Sequence, residues 1–140
     1  MKFIEERLRN GLIRKGLKKK ANRVFHEVMV RLKKEGHPET IIDDIFERLR
    51  PKLRLVERKR GSTVYKLPSM IRKDQSVSLA LKWFFRSVKE RKERKLEDRV
   101  FGELKEILDE KGRSLKRKEE HYRLAIYNRG FIRFLKKYRR

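Results

Sequence analysis

The sequence predicts a mostly α, single-domain bundle of five to six helices carrying one protruding β-hairpin at about residues 52–67. Two observations carry that expectation. Apolar residues recur at three- and four-residue spacing along most of the chain, the period of a helix with one buried face. Only residues 51–68 break the pattern: Lys52-Leu53-Arg54-Leu55-Val56 alternates polar and apolar, and Val64-Tyr65-Lys66-Leu67 reads as a second short strand. Basic extensions at 1–16 and 131–140 complete the layout, with helices over 17–50 and 76–130.

Taken in order, Arg7 to Arg23 holds eight Lys or Arg and no acid. Asn10-Gly11 and Gly16 interrupt its first part, which reads as an irregular basic arm ending near Gly16. Leu17, Ala21, Val24, Phe25, Val28 and Leu32 then form one helical face, closed by Gly36-His37-Pro38. Ile41, Ile42, Ile45, Phe46 and Leu49 define the next helix, which stops before Pro51. Glu39, Asp43, Asp44 and Glu47 give it an acidic outer side, suited to solvent or a basic protein neighbour.

Between the two strands lies Arg58-Lys59-Arg60-Gly61-Ser62, three cations running into a glycine that tolerates the positive φ of a tight turn. A two-stranded ribbon is marginal alone, so the helices must hold its base. After it, Ser76 is the expected N-cap of the most apolar helix, with Val77, Leu79, Ala80, Leu81, Trp83, Phe84, Phe85 and Val88. Such a segment belongs at the centre of a bundle, and Trp83 reads as core rather than a base-stacking platform. Residues 89–95 are a polar junction that a helix either crosses or leaves. Leu96, Val100, Phe101, Leu104, Ile107 and Leu108 form a further amphipathic helix ending near Lys111-Gly112. Ser114 is the expected cap of the last one, whose apolar positions are Leu115, Tyr122, Leu124, Ala125 and Ile126.

Charge decides the class of partner. Forty-three Lys and Arg against 20 Asp and Glu give a formal net charge of +23, which calls for a polyanion. A membrane surface would need cations confined to one long amphipathic face, whereas here they lie on every segment. No apolar run approaches the roughly 18 residues a spanning helix requires. With no cysteine, disulfides and thiolate metal sites are excluded. Cations in the first turn of the last helix, Lys116, Arg117 and Lys118, oppose its macrodipole and suit a phosphate neighbour. In the tail, Phe131, Phe134 and Tyr138 sit among five cations, either stacking on bases or docking the tail to the bundle.

Catalysis finds no support in the pattern. Asp43-Asp44, Glu97-Asp98, Asp109-Glu110 and Glu119-Glu120 are adjacent on helices and therefore diverge. His26, His37 and His121 lack metal-ligand spacing, and no phosphate-cradling glycine loop or nucleophile elbow occurs. No cofactor, metal or small-molecule substrate is expected. A helix-turn-helix around Gly36-His37-Pro38 would make the acidic helix the reader of DNA, which argues against it.

Specific residues point further. The run Pro51 to Pro68, then Asp74-Gln75-Ser76-Val77-Ser78-Leu79-Ala80-Leu81-Lys82-Trp83, resembles the small-subunit ribosomal protein seven family. That family has a proline-ended helix, an Arg-rich glycine turn between two strands, and a Ser-Leu-Ala-Leu-Arg-Trp helix. Lys116-Arg117-Lys118-Glu119 and Asn128-Arg129-Gly130-Phe131 resemble two later elements, so the likeness covers roughly residues 14 to 134. The chain departs where Ser62 follows Gly61 in place of a second glycine, and where Ile132 to Lys136 replaces the family's Ala-His-Tyr-Arg-Trp.

The resemblance implies a non-enzymatic protein that binds the 3′ domain of small-subunit rRNA and nucleates assembly of the head. It implies neighbouring head ribosomal proteins, and a hairpin near exit-site tRNA and mRNA. By matching position, Arg14, Lys15, Lys18, Lys19 and Lys20 would be arm contacts, and Arg58, Lys59 and Arg60 hairpin contacts. Arg72, Lys73, Lys116, Arg117 and Lys118 are further candidates. The strong basicity, with no leader at Met1, suggests an organelle-encoded, mitochondrial version rather than a bacterial one. The competing class is a helical RNA or DNA chaperone without a fixed site.

Overall fold

The computed structural model describes residues 2–133. In order these are α1 (Lys2–Gly11), α2 (Lys18–Lys34), α3 (Ile41–Leu49), β1 (Leu53–Arg60), β2 (Thr63–Met70), α4 (Lys73–Glu90), α5 (Leu96–Leu108) and α6 (Arg113–Tyr127). A single 3-10 turn, Arg129–Phe131, follows. Among the described residues, six helices and one antiparallel hairpin make up the architecture the periodicity predicts.

Helix α4 is the hub, touching α1, α3, α5 and α6. Its Val77, Ala80, Leu81, Phe84 and Val88 are buried, and Phe84 meets Phe46 of α3 edge-on at 5.6 Å between ring centroids. Trp83 is half-buried and packs against the core, with the His121 ring 5.2 Å away. The helix leaves its axis at Glu90, so residues 91–95 form a non-helical junction before α5.

Several local expectations give way. Residues 2–11 are helical, not an irregular arm, because Ile4, Leu8 and Leu12 recur every four residues and bury against the core. The basic residues between them had masked that stripe. Arg7 fixes the start of α1 by donating to the Asp74 carbonyl and to Ser78 Oγ. At its end, a Cβ on Gly11 would lie 2.2 Å from the Phe85 ring, so only glycine lets α1 approach α4 this closely. Arg7 thus lies beside the first turns of α4 and Gly11 beside its Phe85.

Neither predicted serine caps a helix. Helix α4 begins three residues before Ser76, which is buried and donates its hydroxyl to the Pro51 carbonyl, closing the base of the hairpin. Ser114 lies inside α6 and is buried against Glu103. Leu17 is exposed despite its position on the apolar face of α2. Leu124 and Ile126 are exposed too, because α6 meets the bundle through Ala125 and the half-buried Leu115 and Tyr122.

Replacing Gly11 with Ala should force the Phe85 ring out of its notch and lower unfolding free energy by about 1–3 kcal/mol. Urea denaturation of the two proteins side by side measures this.

Candidate nucleic-acid interface

The hairpin strands pair from Leu53↔Met70 to Arg60↔Thr63, leaving Gly61-Ser62 as a two-residue loop. Gly61 has φ +63° whereas Ser62 has no positive φ, the φ pattern of a type II′ turn. The second glycine that the resemblance led one to expect is therefore unnecessary. Counting the alternation of bonded and non-bonded pairs from the closing pair, Leu55↔Pro68 is non-bonded. Pro68 thus sits mid-strand without costing a ladder hydrogen bond.

Polar contacts orient the ribbon. The Lys52 amide donates to the Tyr122 hydroxyl at 2.8 Å, and His121 Nε2 donates to the Leu53 carbonyl at 2.9 Å. Tyr65 on β2 packs against Phe131, ring centroids 4.7 Å apart. Phe131 is thereby placed on the protein. Residues 134–140, with the tail's Phe134 and Tyr138, lie outside the described residues. Held this way, the ribbon carries Arg58, Lys59 and Arg60 outward, all exposed. A groove of about 550 Å³ opens between its base and α4, lined among others by Arg54, Lys66, Gln75 and Lys82. Arg72 and Lys73, also exposed, stand where β2 passes into α4.

A second basic surface lies around the α1–α2 turn. Arg14, Lys15, Lys18, Lys19 and Lys20 are exposed there, and Lys15 adopts a left-handed φ of +51°. Arg14, Lys20 and Arg23 face Arg94, Lys95 and Arg99 across a cleft of about 480 Å³. The cleft joins residues roughly seventy to eighty-five positions apart in the chain. Arg94 and Lys95 follow the C-terminal end of α4, and the hairpin leads into its N-terminal end. Helix α4 has 18 residues, about 27 Å of axis.

The first turn of α6 behaves differently. Arg117 donates to both Glu90 carboxylate oxygens at 2.7 Å and to Ser87 Oγ at 2.6 Å, and its guanidinium holds Glu90 below the usual carboxylate range. Lys118 donates to the Arg48 carbonyl; burial, then the charge of Lys52, lowers its pKa. Lys116 is exposed. The macrodipole is met from inside the protein: the buried Glu103 carboxylate accepts from the Ser114 amide at 3.1 Å and from its hydroxyl. Phosphate is not needed to explain these cations.

Sequence reasoning missed Lys82, Arg86 and Lys89, which share one exposed face of α4 at i, i+4 and i+7. Their spacing was the signal, obscured by the apolar residues around them. It also missed Arg94 and Lys95, whose partners across the cleft only the tertiary fold supplies. The acidic side of α3 is partly neutralised, with Glu39 paired to Lys33 and Glu47 to Arg50 at 2.6 Å. Among the described residues no group of His, Asp and Glu converges as a metal site, and no helix is long and apolar enough to cross a membrane.

The helical scaffold thus raises exposed cations on a hairpin and beside a cleft, two surfaces suited to a polyanion. The family model for ribosomal protein S7p/S5e matches residues 2–129. Similar proteins include "Small ribosomal subunit protein uS7" of Desulfotalea psychrophila, 26% identical over 128 residues, spanning 89% of this chain and 82% of that protein. The proteins of the same name from Rubrobacter xylanophilus and Geobacter sulfurreducens are 28% and 29% identical over 131 and 121 residues. They are covered to 84% and 78%, for 92% and 85% of this chain. The chain belongs to the ribosomal protein S7p/S5e family, structural constituents of the small ribosomal subunit.

Changing Arg58 and Lys59 together to Ala should weaken RNA binding and reduce the slope of log affinity against log salt by roughly 1–2, with melting temperature nearly unchanged. Arg117→Ala should do the reverse, lowering melting temperature while leaving the salt slope intact. Salt-titrated filter binding and thermal melting of each variant separate the two behaviours.

Proposed function

We propose that this chain binds the 3′ domain of small-subunit rRNA and nucleates assembly of the head, acting as a two-ended clamp. The observation that carries this reading is the pair of exposed basic surfaces, one on the hairpin that leads into α4 and one around the cleft beyond its C-terminal end. A duplex or junction lying along α4 can meet both. The hairpin cations Arg58, Lys59 and Arg60, with Arg72 and Lys73 at its foot, take one RNA segment. The turn cations Arg14, Lys15, Lys18, Lys19 and Lys20 take the other, with Lys116 as an outlying contact. These are contacts to phosphate and to shape, since deep A-form grooves hide base edges from side chains. Arg117 and Lys118 are withdrawn from the contact set because the fold already engages both.

The relatives' printed name, small ribosomal subunit protein, supports the subunit, and neighbouring head proteins are the expected protein partners. Exit-site tRNA and mRNA near the hairpin tip extend the same reading. The relatives are bacterial; the +23 charge supports a mitochondrial small subunit as the finer assignment. Sedimentation of tagged protein with mitochondrial rather than cytoplasmic small subunits tests that step.

Hydroxyl-radical footprinting on a 3′-domain transcript tests the clamp. Two discrete protected patches should persist at a salt concentration where binding to unrelated RNA has dissolved. Protection spread evenly over unrelated RNAs at that salt would instead indicate a chaperone without a fixed site.

A further inference from the structure

Glu103 is fully buried, and the clamp described above has no use for its charge. Its two oxygens face different elements. One accepts from the Ser114 amide and hydroxyl at the start of α6. The other accepts from Arg91 Nη1 at 3.2 Å. Arg91 opens the 91–95 junction, and only 15% of its side chain is exposed. The same guanidinium also holds Glu106 at 2.9 Å and Glu93 at 2.7 Å. Those bonds raise the Arg91 pKa and depress that of Glu93. The junction is tied a second time, by Arg99 donating to the Glu93 carbonyl and, at 3.4 Å, to that of Arg94. A peptide without regular hydrogen bonding is thus fixed by side chains at its start and along its length.

What this junction carries outward is Arg94 and Lys95, the far wall of the basic cleft. We infer that Glu103 is a positioning residue for RNA binding: through Arg91 it holds the junction in the shape that sets Arg94 and Lys95 opposite Arg14, Lys20 and Arg23. The inference rests on the clamp reading. A loop whose cations moved freely would gain less from each phosphate, because ordering them on contact costs side-chain and backbone entropy. A buried anion serves this role better than a surface one. It is out of reach of solvent, so its grip on Arg91 is screened much less as ionic strength rises.

Gly102 provides a clean way to test it. A Cβ there would lie 2.6 Å from Arg91 Nη2, so Gly102→Ala displaces the guanidinium while leaving Glu103 bonded to Ser114 of α6 and favouring the α5 helix. Glu103→Gln is the direct variant: it keeps an acceptor for Ser114 and removes the charge facing Arg91. Binding of each to a transcript of the small-subunit rRNA 3′ domain is measured across a salt series, with far-UV circular dichroism to establish folding. Gly102→Ala should fold with a lower melting temperature, because the buried Glu103 loses its cation, and should lose roughly 1–2 in salt slope at a temperature where it is fully folded, the loss of one or two phosphate contacts. Glu103→Gln should show the same slope loss beyond any change in melting temperature. If it does not fold, Gly102→Ala carries the test alone. Adding Gly102→Ala to the double variant Arg94→Ala, Lys95→Ala should lower the slope no further, since both act on one contact.

A folded Gly102→Ala protein with an unchanged slope overturns the inference and leaves Glu103 a purely structural residue. If the unaltered chain itself shows no sited binding to the transcript, the clamp reading fails first, and the inference with it.

Discussion

Forty-three cations share this small bundle with 20 acids, and their mutual repulsion has to be met before the helices can pack. The acids are placed where they neutralise cations between helices. Asp98 of α5 holds Arg31 of α2 at 2.7 Å, and Glu35 holds Lys105 at 2.9 Å. Glu90 gathers Arg117, Arg113 and Arg86 between α4 and α6, while Glu103 and Glu106 hold Arg91 at the junction. Exposed cations remain at Arg58 and Lys59 of the hairpin, at the α1–α2 turn, and at Lys82 and Lys89 of α4. Core and interface are therefore one arrangement: the ion pairs that allow packing also decide which cations stay exposed to a polyanion.

The apolar frame was legible because burial leaves a period in the sequence. Ile42, Ile45, Phe46 and Leu49 of α3, and Val100, Leu104 and Ile107 of α5, are buried as their spacing demands. The hairpin was legible for a related reason, since Leu53, Leu55, Leu67 and the glycine turn follow a different period. Helix α1 was misread because Arg7, Arg9 and Gly11 look like a broken basic run, and the contact that requires Gly11 lies 74 positions away at Phe85.

Legibility of the interface stopped at the same boundary. A lysine or arginine in sequence does not disclose whether its charge is answered from within. Arg117 and Lys116 are neighbours with the same composition around them, yet one is bound by Glu90 and Ser87 and the other is exposed. Likewise the basic first turn of α6 invoked a phosphate, whereas the answering anion is Glu103, eleven residues before Ser114 and on another helix. Tertiary pairing, not local charge, separates the cations that hold the bundle from those free to meet a partner.

The hairpin has one consequence for the protein before it meets RNA. Among the described residues the sheet has two strands, so β1 and β2 are both edges, and each presents a row of backbone groups to any strand that drifts alongside. Pro68 removes one donor from the outer side of β2, and Arg54, Arg58, Lys59 and Lys66 surround both edges with like charge. A second copy approaching in register would bring cation against cation. The residues that favour a polyanion thus also discourage self-association of newly made chains, and protect a solitary ribbon from fibril-like pairing until it is covered.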